Sequence, residues 1–226
     1  MRMILPAVLV ATAALAAADT PLVVSDVMTG SASHVRITNT AHQPITAWSL
    51  AAVTPRGSGT HREVYTTEGY LSEVTHGLPK AAERLERLMP GESRELPLDP
   101  LPDGARVEPI AVVMDDGTAI GEEGAIASIF ANRARERDAL KAVVDAFAEI
   151  LPAQHGRQAL ASLRDRFSAL AAHNDTVPCH AALDAVQAYE QRAQPEQIDK
   201  SLRTYADFVN REYQLAAKHS ERRGRP

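Results

Sequence analysis

The chain has one cysteine, Cys179, placed directly after Pro178 and directly before His180, with His173 six residues upstream. A thiol in the first turn of a helix lies among unpaired backbone N–H groups at the positive end of the dipole, and both favour the thiolate. With imidazoles close by in sequence, three chemistries are open to it: an intermolecular disulfide, a redox thiol, or a nucleophile assisted by His180 or His173. The competing reading is a small half-buried residue that packs a helix start. Adjacent helical residues point about 100° apart, a poor geometry for a Cys179–His180 dyad. His173, Cys179 and His180 also carry the ligand types that suit zinc or copper. Their spacing is neither a His-x3-His pair nor a pair of Cys-x2-Cys knuckles, and the sequence implies no cofactor.

Two further groups of charged residues stand out. The run Asp115-Asp116-Gly117-Thr118-Ala119-Ile120-Gly121-Glu122-Glu123 gathers four carboxylates in nine residues. It lacks oxygen ligands at the first, third and fifth positions that a calcium loop needs. Asp-Asp-Gly is turn chemistry, and two glutamates suit the start of a helix. Downstream, Arg133 and Arg137 fall on or beside the line of Ile126, Phe130, Leu140 and Val144, where an apolar residue is expected. A guanidinium there either snorkels to water or finds acceptors inside the protein. The second alternative predicts an interdomain contact in which Arg133 and Arg137 dock their helix onto Asp115, Asp116 or neighbouring carboxylates. Hydrolase signatures of the Gly-x-Ser-x-Gly and Ser-x-x-Lys kinds are not found, nor is a glycine-rich phosphate loop between strand and helix, so an enzyme is not the expectation.

The elements that must position these residues divide the chain near Gly124. Residues 19–124 hold 8 Lys+Arg and 16 Asp+Glu, a balance of −8, and residues 125–226 hold 15 and 13, a balance of +2. In the first half short alternating runs include Val35-Arg36-Ile37-Thr38, Ile45-Thr46-Ala47-Trp48-Ser49-Leu50 and the stretch 107–114. Turn residues separate them, which predicts antiparallel strands. Residues 79–88 break the alternation as a short helix, and 55–61 with the segment 65–70 read as a solvated connection, the alternative being a binding edge. In the second half the spacing becomes helical. Ile126, Ile129, Phe130, Leu140, Val143, Phe147 and Ile150 share a side, and three shorter periodic segments follow, centred on Leu163, Val186 and Tyr205. Their connections are a few residues long, which favours antiparallel neighbours.

The fold expected is therefore α+β: an N-terminal antiparallel β-sandwich followed by a C-terminal up-down bundle of about four helices. The corresponding domains are 1–18 as a signal peptide, 19–121 as the sandwich, 122–219 as the helical domain and 220–226 as a frayed basic tail. The opening MRMILPAVLVATAALAAADT has one Arg, an apolar run and small residues before Asp19. That order suits an export signal cleaved after Ala18, and the run is short for a membrane span. A secreted chain with one cysteine closes no internal disulfide, so its fold rests on buried apolar area.

An Asn39-Thr40 turn precedes the strand Ile45-x-Ala47-Trp48, a Leu88-Met89-Pro90-Gly91-Glu92-Ser93 turn follows, and Val113-x-Asp115-Asp116-Gly117-Thr118 closes the series. Over about residues 20–120 this pattern resembles the immunoglobulin-like β-sandwiches of exported bacterial proteins. The resemblance implies a spacer or binding module; the Cys…Trp…Cys core of antibody domains is not part of it, since Trp48 has no cysteine pair. A net charge of −5 argues against a strongly basic nucleic-acid binder, and 4% aromatic residues argue against a base-stacking or sugar-binding groove. The function expected is a non-catalytic binding or assembly module of the cell envelope, periplasmic or secreted, without a membrane span once the signal is removed. Its partners would be another protein, through a free sandwich edge or an uncovered helical stripe, or a second copy, through the two long helices 126–151 and 198–216. The alternative is a periplasmic metal- or small-molecule-binding protein using the interdomain cleft or the His173-Cys179-His180 region.

Overall fold

A computed structural model describes residues 20–57, 59–70 and 87–224. The expected signal segment 1–18, Ser58 and most of the expected helix at 79–88 lie outside the described residues. Within them seven strands precede four helices, an α+β order. The strands are β1 Leu22–Met28, β2 His34–Asn39, β3 Ile45–Arg56, β4 Gly59–Glu68, β5 Ser93–Pro97, β6 Arg106–Met114 and β7 Ala119–Gly121. They form two antiparallel sheets, one ordered β1-β2-β5 and the other β4-β3-β6-β7.

Alternation along the strands puts Leu22, Val35 and Ile37 of the first sheet in a common core with Ile45, Trp48, Leu50, Ala52 and Val112 of the second. Strand β3 is buried on both faces from Ile45 to Ala52. Its second face therefore carries the small residues Ala47, Ser49 and Ala51, which leave room for a helix to approach. Residues 55–57 and 59–61, read from the sequence as a solvated connection, are exposed and lie at the end of the β3–β4 hairpin, with Pro55 opposite Thr60 and Arg56 opposite Gly59. Few of these residues are apolar, so the tip leaves no hydrophobic alternation by which it could be read.

Two bulges shape the four-stranded sheet. Ile45 pairs with Met114 and Ala47 with Val113, so Thr46 is an extra residue on β3. Ser49 pairs with Ala111 and Leu50 with Pro109, so Ile110 is an extra residue on β6. A bulge turns side chains and carbonyls away from the regular ladder. The Ile110 carbonyl accepts the Glu122 N–H at 2.7 Å, which fixes the start of the first helix against the sheet. Gly121 makes the approach possible: its φ is 131°, and a Cβ there would lie 2.2 Å from the Ile110 oxygen.

The helices are α1 Glu123–Ile150, α2 Gly156–His173, α3 Val177–Arg192 and α4 Ile198–His219, the last preceded by a 3₁₀ turn, Pro195–Gln197. Helix α1 has 28 residues and a length of about 42 Å at 1.5 Å per residue. Its first turns bury Ile126 and Ile129 against Ala47, Ala111, Val113 and Ala119 of the sheet. Its later turns bury Leu140, Val143, Phe147 and Ile150 in a second core with α2, α3 and α4. Phe147 stands edge-on to Phe167 at 5.2 Å and to Tyr205 at 5.9 Å. The N–H of Gly156 at the start of α2 is satisfied by Asp199 of α4 at 2.6 Å, a helix cap supplied from a distant segment. Among the described residues no helix is long and apolar enough to cross a membrane.

The chain after α4 does not fray at once. Arg223 donates its N–H to the Gly117 carbonyl at 3.1 Å, Arg222 pairs with Glu123, and Ser220 is buried. Sequence alone showed three arginines in a short tail, without the carbonyl and carboxylate that receive two of them.

Gly121→Ala forces a side chain into positive φ and into a backbone oxygen, strain of roughly 2–3 kcal/mol. Thermal unfolding of this variant should show a midpoint lower by several degrees, and Gly124→Ala, where a Cβ meets open space, should show no such loss.

Candidate functional site

The helical period that buries Ile126 and Ile129 carries Arg133 onto the same side of α1, and its side chain is 0% exposed. Its fork is fully directed. Nε donates to Glu68 Oε2 at 2.8 Å, Nη2 to Thr46 Oγ1 at 3.1 Å and Nη1 to the His219 carbonyl at 3.1 Å. Thr46 reaches it because the β3 bulge releases this residue from the ladder; its hydroxyl lies 3.1 Å from the Val113 carbonyl. His219 is the last residue of α4, where helical carbonyls have no intrahelical donor, so Arg133 caps that helix from outside. The guanidinium carbon lies 5.0 Å from the Tyr70 ring centre and 5.6 Å from that of Phe130, within cation–π range. One side chain thus joins α1, β3, the end of β4 and the end of α4.

More ionisable groups surround it. Burial pushes the Glu68 carboxyl up to about 7, against the pull of Arg133, with the charge of Glu136 adding to the rise. Glu68 Oε1 is buried without a hydrogen-bond partner among the described residues. Tyr70 donates its hydroxyl to Glu136, and burial followed by that bond raises its pKa far above the phenolic range. Burial, with Glu136 again contributing, pushes Glu212 of α4 up to about 7. His219 is buried, its ring 5.8 Å from Tyr70 and its Nε2 3.9 Å from Asp115 Oδ1. Three carboxyls, Glu68, Glu136 and Glu212, therefore share a seam that holds one buried guanidinium. Protonation is one way such a seam limits its charge.

The residues singled out in the sequence fall in several places. Arg133 is at the centre of the seam, and its carboxylate is Glu68 rather than Asp115 or Asp116. Arg137 turns to Asp138 at 2.9 Å and to the Ser220 hydroxyl at 3.2 Å. Asp115 receives Arg87 Nη1 at 3.4 Å as well as standing near His219. Asp116 closes its own turn, accepting the Thr118 N–H at 2.9 Å and Gln43 Nε2 at 3.3 Å.

Cys179 is fully buried on α3, on the side where Ala182 and Val186 are buried, while His180 is exposed and bonds Asp175 at 3.1 Å. His173 donates Nδ1–H to the Ala169 carbonyl of its own helix at 2.8 Å. These three are not gathered: among the described residues no three His, Cys, Asp or Glu side chains form a group able to hold a metal ion. Sequence reasoning missed Thr46, Glu68, Tyr70, Glu136, Glu212 and His219. The one available signal was Arg133 itself, since a cation on an apolar stripe requires acceptors from elsewhere in the chain.

A groove of about 290 Å³ lies between α1 and α4, lined by Val144, Phe147, Leu151, Ala206, Asp207 and Asn210. It is apart from the seam. The arrangement around Arg133 acts as a clamp, with donors and acceptors turned toward one another and the backbone. No protein-family model, curated protein or solved structure matches the chain.

Arg133→Ala leaves the half-buried Glu68 without its cation and the Thr46 hydroxyl and His219 carbonyl without their donor, a loss of about 3 kcal/mol. Urea unfolding should show this, and Arg133→Met with Glu68→Met should recover a substantial part of it. The pH dependence has a definite sign. Glu68 and Glu212 hold protons in the folded chain at pH values where the unfolded chain, near 4.5, has lost them. Their contribution is therefore complete below about pH 4.5 and is lost as pH rises through about 7. The thermal midpoint should fall between pH 5 and pH 8, and Glu212→Gln should make that fall smaller.

Proposed function

We propose that the chain is an exported, non-catalytic binding or assembly module of a bacterial cell envelope, in which an immunoglobulin-like β-sandwich is held rigidly on an up-down helical bundle. The observation that carries this reading is the inward use of the most perturbed side chains. Perturbed carboxyls and a buried arginine often mark a reaction centre. In this chain Arg133, Glu68, Tyr70 and Glu136 bond one another, a strand hydroxyl and a helix end, and so fix the sheet to the helices. The core common to both sheets supports the sandwich, and the short connections between α1, α2, α3 and α4 support the bundle. Export rests on the order of charge, apolar run and small residues in 1–18.

A module of this kind works by offering surfaces in a fixed relation to one another. The seam supplies the rigidity, and the sheet edges and helix faces supply the surfaces.

The test is expression in the native host, separation of envelope from cytoplasm, and native mass spectrometry without chelator or reductant. The expected result is a chain beginning at Asp19, outside the cytoplasm, with the mass of the bare polypeptide or a multiple of it. A chain retained in the cytoplasm with residues 1–18 attached overturns the export reading. A stoichiometric metal or organic mass overturns the reading as a protein-binding module.

A further inference from the structure

The two sheets have four edge strands among the described residues: β1 and β5 in one, β4 and β7 in the other. An edge presents a row of unpaired N–H and C=O groups, and proteins commonly blunt it with bulges, prolines or brevity. Three of these edges are blunted. The pairing of β1 breaks between Ser25 and Met28, where Asp26 has a φ of 50°. Strand β5 has five residues and ends at Pro97, and β7 has three residues that run directly into α1. Strand β4 differs from all of them. It has ten residues, contains no proline, pairs with β3 without a register break from Gly59 to Glu68, and is exposed over its first six positions.

We propose that β4 is a self-association edge, on which a second copy of this chain lays its own β4 antiparallel with Val64 on the two-fold axis. This rests on the binding-module reading and names its partner. Val64 is 50% exposed in the middle of the strand. Side chains directly opposite in an antiparallel pair interact, and like charges opposite one another destabilise it. With Val64 facing Val64, Thr60 faces Glu68, His61 faces Thr67, Arg62 faces Thr66 and Glu63 faces Tyr65. No like charges stand directly opposite one another; Arg62 of each copy stays paired with its own Glu122, and the two Glu63 side chains lie on a diagonal rather than face to face. An axis at Arg62 sets arginine on arginine, and one at Glu63 sets glutamate on glutamate. An axis at Tyr65 shortens the overlap from nine residues to seven and leaves Val64 facing Thr66.

Rotation about an axis normal to the sheet keeps both copies of α1 on one face. Helix α1 packs on Ala47 of β3 as well as on Ala111 and Val113 of β6, and β3 of one copy is three strand spacings from β3 of the other, about 14 Å. That exceeds the diameter of one helix, about 10–12 Å.

The experiment uses the exported chain in sedimentation velocity from about 5 to 200 µM, a range that spans modest edge affinities. Wild type should become a dimer, and Val64→Lys, which puts two ammonium groups on the axis, should stay a monomer with an unchanged thermal midpoint. Register is read separately by mild oxidation of Val64→Cys and Thr66→Cys, since the native Cys179 is buried. The variant at 64 should cross-link to a dimer and the variant at 66 should not. Wild type monomeric throughout the range, a Lys variant that dimerises as tightly, or cross-linking at 66 in place of 64 each overturns the proposal. A monomer that is still exported and carries no added mass leaves the binding-module reading in place and removes only this interface.

Discussion

A guanidinium that water cannot reach must find all its acceptors within the protein, and the acceptors of Arg133 come from segments far apart in the chain. Glu68 ends β4, Thr46 stands in a bulge of β3, and the His219 carbonyl ends α4. Each would be a liability alone: a half-buried carboxylate, a hydroxyl displaced from its ladder, a helix terminus with unpaired oxygens. Together they satisfy one cation, and that requirement sets where the sheet, the long helix and the last helix meet. Nonpolar packing by itself would tolerate sliding of α1 on the small residues of β3 and β6. Directed hydrogen bonds at fixed distances do not.

Helix α1 carries this constraint from one core to the other. Its first turns belong to the sheet and its later turns to the helical core, with Arg133 between them. A continuous hydrogen-bonded helix is stiff over such a length, so displacement at one end is felt at the other. Tyr70 reinforces the junction, because it follows β4 yet packs in the helical core and bonds Glu136. The acidic surplus of the seam sits in the same place, so the charge state of the junction and its mechanical role are linked.

The helices were legible because each presents one apolar side for many turns, and the connections between them, 151–155, 174–176 and 193–197, are a few residues long as their spacing implied. Arg133 was legible as an anomaly in that periodicity. Its partners were not, for a physical reason. Glu68 ends an edge strand with much of its surface in water, so the sequence around it shows no alternation. Glu212 and His219 occupy helical positions where polar residues are ordinary. Asp115 and Asp116 looked like partners because they are acidic and close in sequence, but a tight turn uses Asp116 for its own N–H. The bulges that release Thr46 and Ile110 are single-residue offsets, which a hydrophobic pattern does not record.

The acceptor at His219 has a consequence for the order in which the chain becomes solid. Arg133 and the carbonyl it caps are 86 residues apart, and that carbonyl comes from nearly the last residue of the fold. During synthesis the two sheets and most of α1 are made long before it exists, and over that interval the guanidinium lacks one of its three fixed acceptors. The junction is therefore complete only when the end of α4 is present, because that carbonyl is the acceptor through which Arg133 joins the last helix to the sheet and the long helix.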